Sequence, residues 1–272
     1  MHIISFNPFR SLGIPHIKPI KPEAMFCHKE EISKADWILF PEYWQVNGLV
    51  YVLKKRIFPS INTYHLGHDK VQMTRAFWAL CPENVPRTKI LASDDTGMRT
   101  VLDEFDFPFV AKEIRNSMGR GVYLIQSLDE WITYVRSNQI LYVQEYLSIG
   151  RDMRLIVIGN RVVAAYWREK PEGGFHTNVA CGGRVIFDHI PQEVVELIEQ
   201  VSSISGINHA GFDVAEENGR YYILEFNPFF GHHGPEIMQI KICDLIHEYL
   251  RQKGTPSQPS CTMDDTALPL AS

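Results

Sequence analysis

An aspartate, a glutamate and an asparagine stand on two apolar runs separated by a short turn: Gly211-Phe212-Asp213, then Leu224-Glu225-Phe226-Asn227-Pro228. Acidic side chains cost free energy in a packed interior unless something pairs them. Three oxygen donors converging near strand ends suit a hard cation such as Mg²⁺, and a magnesium site points to phosphate chemistry. Side chains alternate along a strand, so Glu225 and Asn227 share a face. A two-residue turn at Asn218-Gly219 would set Asp213 opposite Leu224, on the wrong face. An odd-length loop or a bulge restores the parity, and a three-residue turn, Glu217-Asn218-Gly219, is expected. The competing reading is two acids at a solvent-facing strand edge.

Phosphate chemistry needs cations and close backbone approach. Lys112 lies inside the apolar run Phe109-Val110-Ala111-Lys112. Such a lysine either snorkels from an edge strand into water or aims at phosphate oxygens. The loop that follows, Asn116-Ser117-Met118-Gly119-Arg120-Gly121, favours phosphate, because glycines let backbone N–H groups approach a polyphosphate. It matches neither the P-loop nor the dinucleotide fingerprint. The run Val143-Gln144-Glu145-Tyr146-Leu147 leaves a strand through polar residues, which can offer backbone groups to a base edge and Glu145 to a ribose; the competing and commoner reading is that Gln144 and Glu145 merely end a strand. Arg154, Arg168 and Asn178 are candidates for further anion contacts, the arginines through their planar fork, although arginines near loops are common and singly mark no site.

The elements that must carry these residues are legible from about residue 108 onward. Strands are expected at 109–114, 122–126, 141–147 and 154–158. Gly159-Asn160 turns the chain into a hairpin partner at 162–167, and two more strands follow at 210–215 and 221–226. Ser127-Leu128-Asp129-Glu130 has the spacing of a capping box, so a helix runs to about Ser137. Val194, Leu197, Ile198, Val201 and Ile204 form one stripe of a helix over 191–205. A last helix is expected over 237–252, stopped by Gly254. Asp69 caps a helix ending near Leu80. Before that, Pro8, Pro15, Pro19 and Pro22 punctuate a stretch whose only clear strand is Trp37-Ile38-Leu39-Phe40. The tail from Thr255 is rich in Pro, Ser and Thr and reads as disordered.

Composition narrows the field. With 45% hydrophobic and 22% charged residues over 272 positions, the chain is an ordinary globular protein with room for subdomains. A formal charge of −5 gives no global attraction to nucleic acid or to an anionic membrane, so any anion site is local. Five cysteines, none in a C-x-x-C pair, argue against a disulfide framework and fit a reducing cytoplasm. No apolar run approaches the ~18 residues of a membrane span, and no secretory signal opens the chain.

Taken in order, Asp69-Lys70, Phe109-Val110-Ala111-Lys112, the glycine loop, Val143-Gln144-Glu145-Tyr146-Leu147, Asp152-Met153-Arg154, Arg168, Phe175-His176-Thr177-Asn178, Ala210-Gly211-Phe212-Asp213 and Glu225-Phe226-Asn227-Pro228 resemble the ATP-grasp superfamily, and its RimK-like branch of amino-acid ligases most closely. The resemblance implies an α+β ATP-grasp fold: a short N-terminal α/β region over 1–66 and an ATP-grasp domain over 67–254, in which two subdomains clasp ATP. It implies Lys70 and Lys112 on ATP phosphates, and Gln144, Glu145, Tyr146 and Leu147 along the nucleotide. Asp152 would help hold the nucleotide, and the loop with Gly119 and Gly121 would act as a lid. It implies Asp213, Glu225 and Asn227 as ligands of Mg²⁺, with Mn²⁺ as an alternative metal. Arg154 and Arg168 would face the acyl phosphate, with Asn178 beside the metal. The implied activity is amide formation between a small-molecule or peptide carboxylate and an amine, such as an amino acid. It proceeds through an acyl phosphate and releases ADP and phosphate, in a protein that admits a homo-oligomer.

The chain departs from the branch at His176-Thr177-Asn178, where Arg-Ser-Asn is usual, in the aromatic, His-rich Pro228–Pro235 segment, and in its short N-terminal region. A nucleotide-binding protein without ligase activity is the main rival. A metal hydrolase using Asp213, Glu225, His232 and His233 is a weaker one, because adjacent histidines do not share a face.

Overall fold

Prolines and loops break the start of the chain into strands too short for any periodicity to show, yet they pair. The computed structural model describes residues 1–115, 121–171 and 182–254. Strands β1 (Ile3–Ser5), β2 (Ile17–Pro19), β3 (Trp37–Leu39) and β4 (Ile57–Phe58) form a parallel sheet in the order β2-β1-β3-β4. Short helices α1 (Lys29–Lys34), α2 (Tyr43–Asn47) and α3 (Ile61–Leu66) accompany it.

A second unit follows: α4 (Lys70–Leu80), β5 (Thr88–Ala92), α5 (Asp95–Glu104), β6 (Phe109–Lys112), β7 (Val122–Ile125), α6 (Leu128–Ser137) and β8 (Ile140–Glu145). Its antiparallel sheet runs β5-β8-β6-β7. The expected caps are present. Asp69 accepts from the Gln72 amide at 2.9 Å, and Ser127 accepts from Glu130 at 3.4 Å. Glu130 reaches back to the amide of Gln126 rather than to that of Ser127. Trp131 and Phe109, both fully buried, centre the core between α6 and the sheet.

The third unit holds β9 (Arg151–Ile158), β10 (Arg161–Glu169), β11 (Arg184–Ile186), α7 (Gln192–Ser205), β12 (His209–Glu217), β13 (Arg220–Asn227), α8 (His233–Ile237) and α9 (Ile242–Gln252). Its sheet order is β11-β10-β9-β12-β13, antiparallel where paired. The expected single helix over 237–252 is two helices. Gln239 adopts φ +57 between them, a left-handed conformation that cannot continue a helix.

The two faces of this sheet have different neighbours. Met153, Leu155, Val157, Phe212 and Val214 pack against α4 and α7. Ile156, Ile158 and Tyr166 point the other way and meet Ile3, Trp37 and Phe58 of the N-terminal sheet together with Ile242, Ile246 and Leu250 of α9. Each such side chain contributes roughly 1.5–3 kcal/mol by leaving water. The N-terminal sheet therefore covers one end of the sheet face that carries, further along β9, Arg154 and Asp152.

His209 is sealed in this second core. Its ring stacks on Phe230 at 4.7 Å and meets the edges of Phe40 and Phe58 at 5.5 and 5.3 Å. Its Nδ1 donates to the Pro228 carbonyl at 2.7 Å. Burial pushes its pKa down to about 3, so the ring folds neutral. The unfolded histidine gains a proton below about 6.5, so this stability is complete above that pH and is lost progressively between 6.5 and 3. Wild type is expected to lose about 1.4 kcal/mol at pH 5.5 from this group, a loss absent in His209→Phe. Urea unfolding of both proteins at pH 7.5 and 5.5 measures it. Equal pH dependence would place the acid sensitivity elsewhere.

Among the described residues no helix is long and apolar enough to cross a membrane.

Candidate active site

The hairpin β12–β13 decides whether its acids meet. Glu217 pairs with Arg220, so the turn is the two-residue Asn218-Gly219, not the expected three-residue loop. Both residues have positive φ, +53 and +74, the signature of a type I′ turn. Parity is restored further along by a bulge. Val214 pairs with Ile223 but Asp213 pairs with Glu225, leaving Leu224 as the extra residue. Asp213 thus stands directly opposite Glu225, and Gly211 opposite Asn227.

The register extends this row across the sheet. Arg154 of β9 is opposite Asp213, and Tyr166 of β10 is opposite Arg154. Arg168 and Asp152 pair two residues along on the same face. The Arg154 Nε lies 2.9 Å from Asp213 Oδ1, and its Nη1 donates to the Gly211 carbonyl at 3.1 Å. Glycine is needed there, because a Cβ would sit 2.5 Å from that same nitrogen. Arg168 donates to both Asp152 oxygens, at 2.9 and 2.5 Å, and its Nη2 lies 3.0 Å from Asp213 Oδ1. All four side chains are buried. Burial alone would neutralise them. It raises Asp213 to about 6, against the pull of Arg154 and Arg168, so the carboxylate remains ionised at neutral pH. Burial also opposes the Arg168 charge, but Asp213 and Asp152 outweigh it and hold the guanidinium above its ordinary pKa.

Two lysines arrive from the second unit. Lys112 ends β6, is buried, and donates to Gln144 Oε1 at 2.7 Å; Gln144 in turn donates to Thr88 at 2.9 Å. Desolvation lowers Lys112 to about 8, with Glu225 opposing that shift and Lys70 adding to it. Lys70, at the start of α4, is 3.6 Å from Glu225 Oε2. Burial opposes the Glu225 charge, but Lys70 and Lys112 hold its carboxyl below the usual range. Asn227 donates to Glu225 Oε1 at 3.2 Å.

Glu225, Asn227 and Lys70 open onto a cavity of about 520 Å³ whose other wall includes Asn7, Arg10 and Tyr64. Arg154, Arg168, Asp152 and Asp213 do not line it. Of the predicted nucleotide contacts, Gln144 is buried and braces Lys112. Glu145 closes β8, its carboxylate accepting from the Arg87 amide at 2.6 Å. Tyr146 is half-buried and Leu147 buried. Gly121 sits at φ +67, its carbonyl accepting from the Glu113 amide at 2.7 Å. Gly119, His176 and Asn178 lie outside the described residues. Among the described residues no group of three or more His, Cys, Asp and Glu forms a metal cluster, so His232 and His233 do not join the acids.

The donor set fits Mg²⁺: two carboxylates and an amide oxygen, all hard, are brought to one hairpin. Around them, Lys70, Lys112, Arg154 and Arg168 face Asp152, Asp213 and Glu225. The cluster carries a net positive charge, which suits a metal–polyphosphate anion better than a bare cation. Sequence reasoning missed Asn7, Arg10 and Tyr64, which carry no motif, and the bracing role of Gln144, which only the β6–β8 pairing reveals.

A parallel N-terminal sheet followed by two antiparallel α+β units with cations between them is the ATP-grasp fold. The structure of D-alanine–D-alanine ligase from Bacillus anthracis superposes with a TM-score of 0.70 over 93% of this chain and 100% of that chain, at 14% identity. The model of the RimK-like ATP-grasp domain matches residues 69–250, and the chain belongs to that family. A probable alpha-L-glutamate ligase of Legionella pneumophila (strain Corby) is 30% identical over 156 residues, covering 55% of this chain and 52% of the relative. The glutamate–LysW ligase ArgX of Sulfolobus acidocaldarius is 29% identical over 153 residues, covering 53% and 54%. The chain spans about half the length of these curated relatives.

Proposed function

We propose that this protein is an ATP-dependent carboxylate–amine ligase, with residues 67–254 as its ATP-grasp domain and 1–66 as a wall of the substrate site. The observation that carries the reading is the cross-strand row Arg154–Asp213–Glu225, with the buried Lys112 facing Glu225 and Lys70 beside it at the edge of the cavity. A carboxylate resists attack by an amine because its leaving group would be oxide; phosphorylation by ATP gives it a leaving group. Mg²⁺ bound by Asp213, Glu225 and Asn227 would neutralise charge on the phosphates. Lys70 and Lys112 bind and orient those phosphates, work that consists of positioning and electrostatics. Arg154 and Arg168 hold Asp213 in place and keep that end of the site positive. The Gly119–Gly121 loop and Asn178 belong to the same proposal, as lid and phosphate contact. Names of relatives that act on glutamate support an amino acid as one substrate. The free cysteines Cys27, Cys81 and Cys243 support a reducing, cytoplasmic setting.

The test is chemical. Purified protein with Mg·ATP, a panel of amino acids and short peptides, and hydroxylamine in place of the amine is expected to yield a hydroxamate and ADP. Tight ATP binding with no hydroxamate or amide from any acid would favour the non-catalytic nucleotide-binding reading.

Lys112→Ala is expected to raise the ATP dissociation constant about ten-fold or more, since a charge-assisted contact contributes ~1.5–3 kcal/mol. Because the free lysine titrates at about 8, wild-type affinity should fall as pH rises past that value. The variant's affinity should stay flat. Calorimetry from pH 7 to 9 measures both, and identical curves would leave Lys112 a structural lysine.

A further inference from the structure

Glu225 and Lys70 stand on one wall of the cavity; the wall from the N-terminal unit carries Arg10 and Glu42. Arg10 lies on the turn after β1, in the sequence Asn7-Pro8-Phe9-Arg10-Ser11. The turn is tied down: Asn7 Oδ1 accepts from the Arg10 amide at 3.1 Å, and the Asn7 carbonyl accepts from Ser11 Oγ at 2.9 Å. The Arg10 guanidinium is held over the Phe229 ring, 4.7 Å from its centroid, on the loop that leaves Asn227. The side chain lines the cavity and is half-buried.

What distinguishes Arg10 is its company. The buried guanidiniums of Arg154 and Arg168 each face carboxylates. Arg10 forms no ion pair among the described residues, although Glu42 lines the same wall; the groups that feel its charge are the Tyr64 hydroxyl and the histidines His209 and His232. Desolvation lowers the Arg10 pKa with only the Tyr64 hydroxyl opposing it, as expected when no acid stands close. A guanidinium taken partly out of water without a carboxylate to face it costs free energy. Its planar fork matches a carboxylate in two parallel hydrogen bonds.

We infer that Arg10, stacked on Phe229 at the N-terminal wall of the cavity, is the subsite for a carboxylate of the substrate that does not react. This rests on the ligase reading, in which the reacting carboxylate lies at the Lys70–Glu225 end. The substrate that uses the subsite is therefore an amino acid or a dicarboxylic acid. The carboxylate belongs either to the amine substrate or to the second acid group of the activated one.

The experiment is calorimetric titration of the full chain, with Mg²⁺ and a non-hydrolysable ATP analogue present, by the standard amino acids and glutarate. Wild type, Arg10→Gln and Arg10→Lys are compared. For the tightest-binding probe, Arg10→Gln is expected to raise the dissociation constant about ten-fold or more, with Arg10→Lys in between. Affinity for the ATP analogue should stay within about two-fold, which also reports that the variants fold. Amides of that probe assign the source. The amide that binds wild type and Arg10→Gln equally has lost the carboxylate that Arg10 reads. Equal binding of the unmodified probe to all three proteins, or no carboxylate binding to wild type, overturns the subsite and leaves Arg10 as packing for Phe229. Failure of the ATP analogue to bind overturns the ligase reading instead, and the carboxylate titrations still judge Arg10 by themselves.

Discussion

Glu225→Gln is expected to lower Mg²⁺-dependent ATP turnover on the order of 10²-fold or more, because it removes a charged stabiliser from a preorganised site. The substitution keeps the shape and retains an oxygen for Asn227, which lies 3.2 Å away. It deletes one negative oxygen donor of the proposed metal set. It also strips Lys70 and Lys112 of the carboxylate that faces them, which drives the desolvated Lys112 further toward neutrality. Glu225 is half-buried at the cavity edge, so the fold should survive. ADP release across a Mg²⁺ titration, beside a thermal melt of each protein, separates the two effects. Turnover equal to wild type in a folded variant would remove the metal assignment.

Arg168→Met is expected to cost about 3–5 kcal/mol of folding stability, the usual cost of leaving a buried ion pair without one partner. Arg168 holds Asp152 through two hydrogen bonds and also touches Asp213, all three side chains being buried. Without it, both carboxyls face burial with less positive charge nearby, and Asp213, which burial already raises to about 6, is pushed higher still. Protonation of Asp213 then favours the folded state, so the deficit should shrink as pH falls through that raised value. Urea unfolding at pH 7.5 and 5 tests magnitude and sign together. Arg168→Lys should lose less stability, because a point charge remains. It should lower hydroxamate yield more than ATP binding, since one ammonium cannot serve both acids in fork geometry. A methionine variant as stable as wild type would show that the four charges do not hold this face together.

Much of the positioning framework is legible in the sequence. Strands such as Arg151–Ile158 and His209–Glu217 are marked by their apolar residues and flanking turn signals rather than by alternation, because both of their faces are buried. Asp69 and Ser127 announce their helices through short-range hydrogen bonds. Loss of register at the hairpin was harder. Asn218-Gly219 favours a two-residue turn, and the chain obeys that local preference. The bulge at Leu224 has no local signature. It arises where Phe226 and Phe212 must both reach the core beside α4 while Asp213 and Glu225 face the other way.

The sequence by itself determined the chemical inventory: which acids, lysines and arginines exist, their order along the chain, and the helices and long strands that carry them. These follow from interactions within a few residues, namely capping, turn conformation and side-chain alternation. Tertiary structure decided the groupings. It set Asp152 against Arg168, so that a residue expected to hold nucleotide is shielded within a buried ion network. It turned Gln144 inward onto Lys112. It assembled residues 1–66 from strands of two or three residues, and brought Arg10 to the loop that follows Asn227. Such short strands carry too few side chains to show a period. They are stable only when their neighbours supply the missing hydrogen bonds and the apolar cover, and that supply comes from residues far away in the chain.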